Sequence, residues 1–310
     1  MTFDGCAVVL AAGEGRRLRP LTTVRPKPLC PVGNIALLDS AMDRISRLGP
    51  AGPDRLAVNA CHLAEQIVAH VGGRAHLSVE PGSPLGTAGG VAGLREWIDG
   101  RAVLVANADA YLADPDLSAL LDGWDGSTVR LLGVPAAGLP PEFGGYRFAG
   151  VSLLPWSDVR ALPGGRGELV ATTWRPAERA GRLEVVPYHG AYLDTGTPRD
   201  YLAANLHAAQ GARFATSGAG WMITFSGDWN LVAPDATVTG QLHGAVVGAG
   251  ATVAGTVTRG VVWPGGRVAA DEHLVDAVRV GADLTVTAGR PHPVDSMSDI
   301  GPADRQEHPR

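Results

Sequence analysis

Val262, Val268, Leu274, Val280 and Val286 stand six residues apart without interruption, and Val232 with Val238 and Val247 with Val253 repeat the interval earlier in the chain. Few folds use that spacing. A surface helix needs a period of 3.6 and a half-buried strand a period of 2, whereas a hexapeptide β-helix sets one aliphatic side chain on each face of a narrow triangular coil. Residues 218–290 are therefore predicted to form a short β-helix of about three coils, with an ordinary β-meander as the competing pattern. Glycine usage changes at the same point: residues 1–217 hold 28 glycines, and the 73 residues of 218–290 hold 13.

Residues 1–217 alternate apolar strand segments with helix-period segments. Cys6 to Ala11, Leu56 to Asn59, His76 to Val79 and Val103 to Asn107 read as strands. Between them Ile35, Leu38, Met42, Ile45 and Leu48, then Leu63, Ile67 and Val71, then Val91, Leu94 and Ile98 recur at helical spacing. Such a succession predicts an α/β domain with a mostly parallel sheet, whose ligands bind beyond the carboxyl ends of the strands. Thr197 as N-cap, Pro198 at N1 and Asp200 at N3 open a helix to about Gln210, which is expected to close this domain. Residues 291–310 are polar and read as a disordered tail.

Composition removes several classes of function. No apolar run reaches the ~20 residues of a membrane helix, and the first ten residues lack the basic start of a secretory signal. The three cysteines show no metal-site spacing, which suits a reducing cytoplasm. A net charge of -5 gives no nucleic-acid footprint. Of the 26 basic residues, only Lys27 is a lysine.

Gly13-Glu14-Gly15-Arg16-Arg17-Leu18 follows the first strand. It lacks the third glycine of a dinucleotide fingerprint and the Gly-Lys-Ser/Thr of a Walker A loop. Its backbone N–H groups, with Arg16, Arg17, Arg19 and Arg25 nearby, could still meet a polyphosphate; an ordinary tight turn beside a solvated basic face is the other reading. Lys27 stands between Pro26 and Pro28, which hold the backbone extended. Its compact ammonium suits a single phosphate oxygen, against chance retention of one lysine among arginines.

Residues 10–33, LAAGEGRRLRPLTTVRPKPLCPVG, resemble the signature of the sugar-1-phosphate nucleotidylyltransferases. The resemblance continues, in order, through EPGSPLGTAGG (80–90), Asn107-Ala108-Asp109 and YLDTGTPRDYL (192–202). The segment NACHLAEQI (59–67) is similar to the mannose-1-phosphate guanylyltransferase and N-acetylmuramate-1-phosphate uridylyltransferase branches. The resemblance implies a Rossmann-like nucleotidyltransferase domain over 1–217 and a left-handed β-helix over 218–290. It also implies attack of a sugar-1-phosphate, or a cyclitol-1-phosphate, on the α-phosphorus of a nucleoside triphosphate.

By resemblance, Leu10, Ala11, Ala12, Gly13, Gly15, Pro84, Gly86, Thr87 and Asn107 bind the nucleotide. Arg17 and Lys27 are the catalytic cations, and Asp109 and Asp194 hold Mg²⁺. Tyr146, Gly150 and Glu168 lie at the sugar phosphate, although Glu168 also reads as an exposed helix start. Glu80 falls near the base. A carboxylate only accepts hydrogen bonds, and guanine offers two adjacent donors where uracil offers one, so Glu80 leans toward GTP unless it simply ends a strand in solvent. A second lysine implied for the sugar phosphate has no counterpart here; Arg147 or Arg175 could substitute, or the sugar phosphate could rely on Lys27 and the metal. A homo-oligomer is expected. The other functions considered are a uridylyl- or thymidylyltransferase, a non-catalytic nucleotide-sugar sensor, and acyl transfer on the β-helix with His243 or His273 as base.

Overall fold

The computed structural model describes residues 2–114, 116–211, 222–226 and 228–289. The expected tail at 291–310 and the expected boundary between 217 and 218 lie outside the described residues.

A seven-stranded sheet organises the first part: β1 (Cys6–Leu10), β2 (Leu56–Ala60), β3 (His76–Val79), β4 (Val103–Asn107), β5 (Val129–Pro135), β6 (Tyr146–Leu154) and β7 (Leu183–Pro187), in the order β7-β5-β6-β4-β1-β2-β3. All run parallel except β6, which is antiparallel to both β4 and β5. β1 lies near the centre, so both of its faces are covered. Ala7 and Val9 join the core under helix α1 (Leu37–Arg47), while Cys6 and Val8 join the core under helix α3 (Gly86–Ala92). That two-sided burial explains why β1 is uniformly apolar rather than alternating.

Helix α2 (Ala64–Val71) buries Ile67 and Val71 as their spacing requires. Two readings shift. Ile35 belongs to a two-residue strand before α1 and is exposed, and the Val91–Ile98 segment divides into α3 and a separate turn of helix at Arg95–Ile98. Helix α4 (Pro198–Gly211) opens as expected: the Asp200 N–H donates to Thr197 Oγ1 at 3.2 Å, and that hydroxyl donates to the Asp200 carboxylate at 2.6 Å.

The second part is a stack of parallel coils. Val246 lies beside Leu231 and Val261 beside Val246, 15 residues apart each time, and Val278 lies beside Val261, 17 apart. Thr237–Val238, Thr252–Val253 and Arg267–Val268 form a second parallel ladder. Each long strand bends at one corner, where Gly244, Arg259 and Asp276 take positive φ of 67°, 45° and 48°. The coil repeat is thus 15 to 17 residues rather than three sixes. Val262, Val268 and Leu274 do occupy successive sides of one coil, but Val280 ends the strand His273–Val280, and Val286 lies on the antiparallel strand Leu284–Thr287. At the other end Met222–Ser226 pairs antiparallel with Asp228–Val232, so antiparallel strands flank the stack on both sides.

Helix α4 is shared between the two parts. Tyr201, Leu202 and Leu206 pack with Leu18 and Leu21 from the glycine loop and with Val246, Val261, Trp263 and Val278 from the coils.

Candidate active site

The site forms where β1 and β4 end side by side. The chain leaves β1 through Ala11 and Ala12, whose path is fixed by two bonds: the Ala11 N–H donates to Asn59 Oδ1 at 2.7 Å, and the Ala108 N–H donates to the Leu10 carbonyl at 3.0 Å. Gly15 then turns with φ of 59°, and a Cβ there would come within 2.8 Å of the Thr22 methyl and 3.1 Å of Lys27 Cβ. Glycine at 15 is therefore required both by backbone conformation and by the close passage of the Lys27 segment. Gly13 faces open space at the pocket.

Asp109 and Asp194 are 85 positions apart and meet through a small antiparallel ribbon. Tyr111–Leu112 pairs with Tyr192–Leu193, and Thr195 Oγ1 donates to the Asp109 carbonyl at 2.7 Å. Lys27 Nζ lies between the two carboxylates, 3.0 Å from Asp109 Oδ2 and 3.4 Å from Asp194 Oδ1. The lysine side chain is only 4% exposed, while the aspartates are 42% and 51% exposed. A buried ammonium is tolerable because it is paired on both sides. Arg17 Nη2 adds a contact to Asp194 Oδ2 at 3.1 Å. Arg16 and Arg19 turn instead to Glu14, whose carboxyl is held below the usual range by its hydrogen bond with Arg16. Burial raises the Tyr192 phenol, and the nearby Asp194 and Asp109 carboxylates push it further, so Tyr192 stays a neutral hydroxyl.

A pocket of about 270 Å³ opens here, and it brings together Leu10, Ala11, Ala12, Gly13, Lys27, Pro84, Gly86, Thr87, Asn107, Asp109 and Glu168. Glu168 is tied to helix α3, with Thr87 Oγ1 donating to its Oε2 at 2.7 Å. Other expected residues stand elsewhere. Gly15, Arg17 and Asp194 lie behind or beside the lining. Gly150 packs beneath Asn107 and Ala110, and Tyr146 lies against Gly133. Glu80 is buried and turned inward, its Oε1 accepting from Asn59 Nδ2 at 2.6 Å and its Oε2 from the Leu85 N–H at 2.7 Å. Arg147 pairs with Glu142 at 3.6 Å, and Arg175 pairs with Glu178 at 2.7 Å while lying over the Phe143 ring. Neither lines the pocket. Pro28, Asn59 and Arg166 do, without having been singled out by the sequence; the available signals were a strand-ending asparagine and an arginine set among Gly164, Gly165 and Gly167. On the coils, His273 Nε2 is 3.1 Å from Thr258 Oγ1 on an exposed face.

The Nucleotidyl transferase family model matches residues 6–144. An N-acetylmuramate alpha-1-phosphate uridylyltransferase of Neisseria meningitidis serogroup B is 30% identical over 221 residues, covering 62% of this chain and 93% of that protein. A mannose-1-phosphate guanylyltransferase of Mycobacterium tuberculosis is 33% identical over 121 residues, covering 37% of this chain and 33% of that protein. Among solved structures, HddC from Yersinia pseudotuberculosis shares the fold at a TM-score of 0.53 and 18% identity, covering 68% of this chain and 100% of that one. The chain belongs to the sugar-1-phosphate nucleotidyltransferase family. No helix among the described residues is long and apolar enough to cross a membrane.

Proposed function

We propose that this chain joins a nucleoside triphosphate to a sugar-1-phosphate, releasing pyrophosphate. The observation that carries the reading is Lys27, the sole lysine, buried beside Asp109 and Asp194 in the wall of a pocket that the signature loop also lines. An oxygen of the sugar phosphate bonds to the α-phosphorus as the bond to the β-phosphate oxygen breaks. Two anions must approach in line, so catalysis consists of positioning and charge neutralisation. Backbone N–H groups around Ala12 and Gly13 face the triphosphate, Lys27 holds the α-phosphate, and Arg17 meets the departing pyrophosphate.

Asp109 and Asp194 fit a magnesium ion: two half-exposed hard oxygen donors converge, and phosphate oxygens and water would complete the coordination. When bound there, Mg²⁺ would neutralise triphosphate charge.

For the base we take UTP. Glu80 is buried, each of its oxygens already accepts one internal hydrogen bond, and it does not line the pocket, so it gives no support to a guanine preference. The Neisseria relative, matched along almost its whole length, is a uridylyltransferase. We read the stacked coils as the left-handed β-helix that the resemblance implies. Pyrophosphate release, measured with UTP, GTP and dTTP against N-acetylmuramate α-1-phosphate, mannose 1-phosphate and glucose 1-phosphate in Mg²⁺, tests this reading. UTP is expected to turn over fastest; a clear GTP or dTTP preference would replace the base assignment, and silence throughout would favour a sensor.

A further inference from the structure

Two phosphate groups must share a pocket of about 270 Å³ whose lining holds two cationic side chains, Lys27 and Arg166. Lys27 is already engaged by two carboxylates, and the arginines around the site are committed: Arg16 and Arg19 to Glu14, Arg17 to Asp194, Arg147 to Glu142, and Arg175 to Glu178. Arg166 is exposed and makes no hydrogen bond or ion pair among the described residues. Its backbone, in contrast, is held firmly. The Ala88 N–H donates to the Gly167 carbonyl at 2.9 Å, and the Gly167 N–H donates to the Leu85 carbonyl at 2.9 Å. A Cβ on Gly89 would come within 2.5 Å of the Gly165 carbonyl oxygen, so the loop is pressed onto helix α3. A free guanidinium therefore stands on a fixed stem beside Glu168.

We propose that Arg166 binds the phosphate of the sugar-1-phosphate, an assignment that rests on the nucleotidyltransferase reading above. The planar fork of a guanidinium matches two phosphate oxygens at once. With no intramolecular partner to give up, the side chain is available for the incoming anion. The triphosphate is served by the loop backbone, Lys27 and Arg17, which leaves the second phosphate as the group without a cation.

The test uses full-length Arg166→Gln and Arg166→Lys proteins, with KM measured separately for each substrate in the panel above. Losing one charge-assisted phosphate contact raises KM for the sugar phosphate about tenfold or more in Arg166→Gln, while KM for the triphosphate stays within about twofold. Arg166→Lys recovers part of the loss. If the wild-type chain turns over and Arg166→Gln leaves the sugar-phosphate KM unchanged, or raises both KM values together, the assignment to Arg166 is overturned and the proposed reaction stands without it. If the wild-type chain is silent across the panel, both fall.

Discussion

Lys27 shows how much one side chain can depend on its neighbours. Its ammonium is almost entirely removed from water, and Asp109 and Asp194 flank it and offset the cost of that burial; the ribbon that brings those aspartates together is built from residues far apart in the chain. The three thiols are similarly decided by surroundings. Burial pushes Cys6 up to about 11 and Cys30 up to about 12, whereas Cys61 is partly exposed. A thiol-specific reagent such as Ellman's should therefore label one cysteine in the native protein and three after denaturation; a second rapidly reacting thiol in the native state would contradict the packing around Tyr201 and β1. The uniqueness of Lys27 could be read from composition. Glu80 and Arg166 could not be placed that way, because whether a carboxylate meets ligand or a backbone N–H, and whether an arginine is free or paired, depends on packing that no local pattern encodes.

Among the elements, the glycine loop and the coils are mechanically joined. Trp263, from the coils, donates from Nε1 to Tyr201 Oη at 2.9 Å, and the Tyr201 hydroxyl donates to the Pro31 carbonyl. The Arg25 guanidinium lies 4.9 Å from the centroid of the Trp263 ring, and Asn34 Nδ2 donates to the Val247 carbonyl at 3.0 Å. These contacts flank Lys27 on both sides in sequence. Trp263→Ala should cost about 3–5 kcal/mol in chemical denaturation and should lower turnover even where the protein remains folded, since Arg25 and Tyr201 lose a common support. An unchanged denaturation midpoint would contradict that role. The apolar run of β1, the helical spacing of α2 and the N-cap of α4 were legible in the sequence. The true coil repeat was not: its sides differ in length, and the closing antiparallel strand continues the same aliphatic interval by coincidence.

At the scale of the molecule, the sheet supplies the pocket at the ends of β1 and β4, and helix α4 binds the coils against the loop that carries the cations. The mostly parallel sheet followed from the alternation of segments. The single antiparallel strand β6 and the meeting of Asp109 with Asp194 did not, because both are long-range pairings. Arg17, Lys27, Asp109 and Asp194 converge from separate parts of the chain on one point, and that convergence is the basis for the reaction assigned here. It is tested most directly by pyrophosphate release from saturating substrates in Mg²⁺, comparing the wild-type chain with Lys27→Ala and Asp109→Ala at matched thermal stability. Wild-type release should fall by about three orders of magnitude or more in each variant, as expected where catalysis is mainly electrostatic positioning. A folded Lys27→Ala protein that releases pyrophosphate at the wild-type rate would contradict the account.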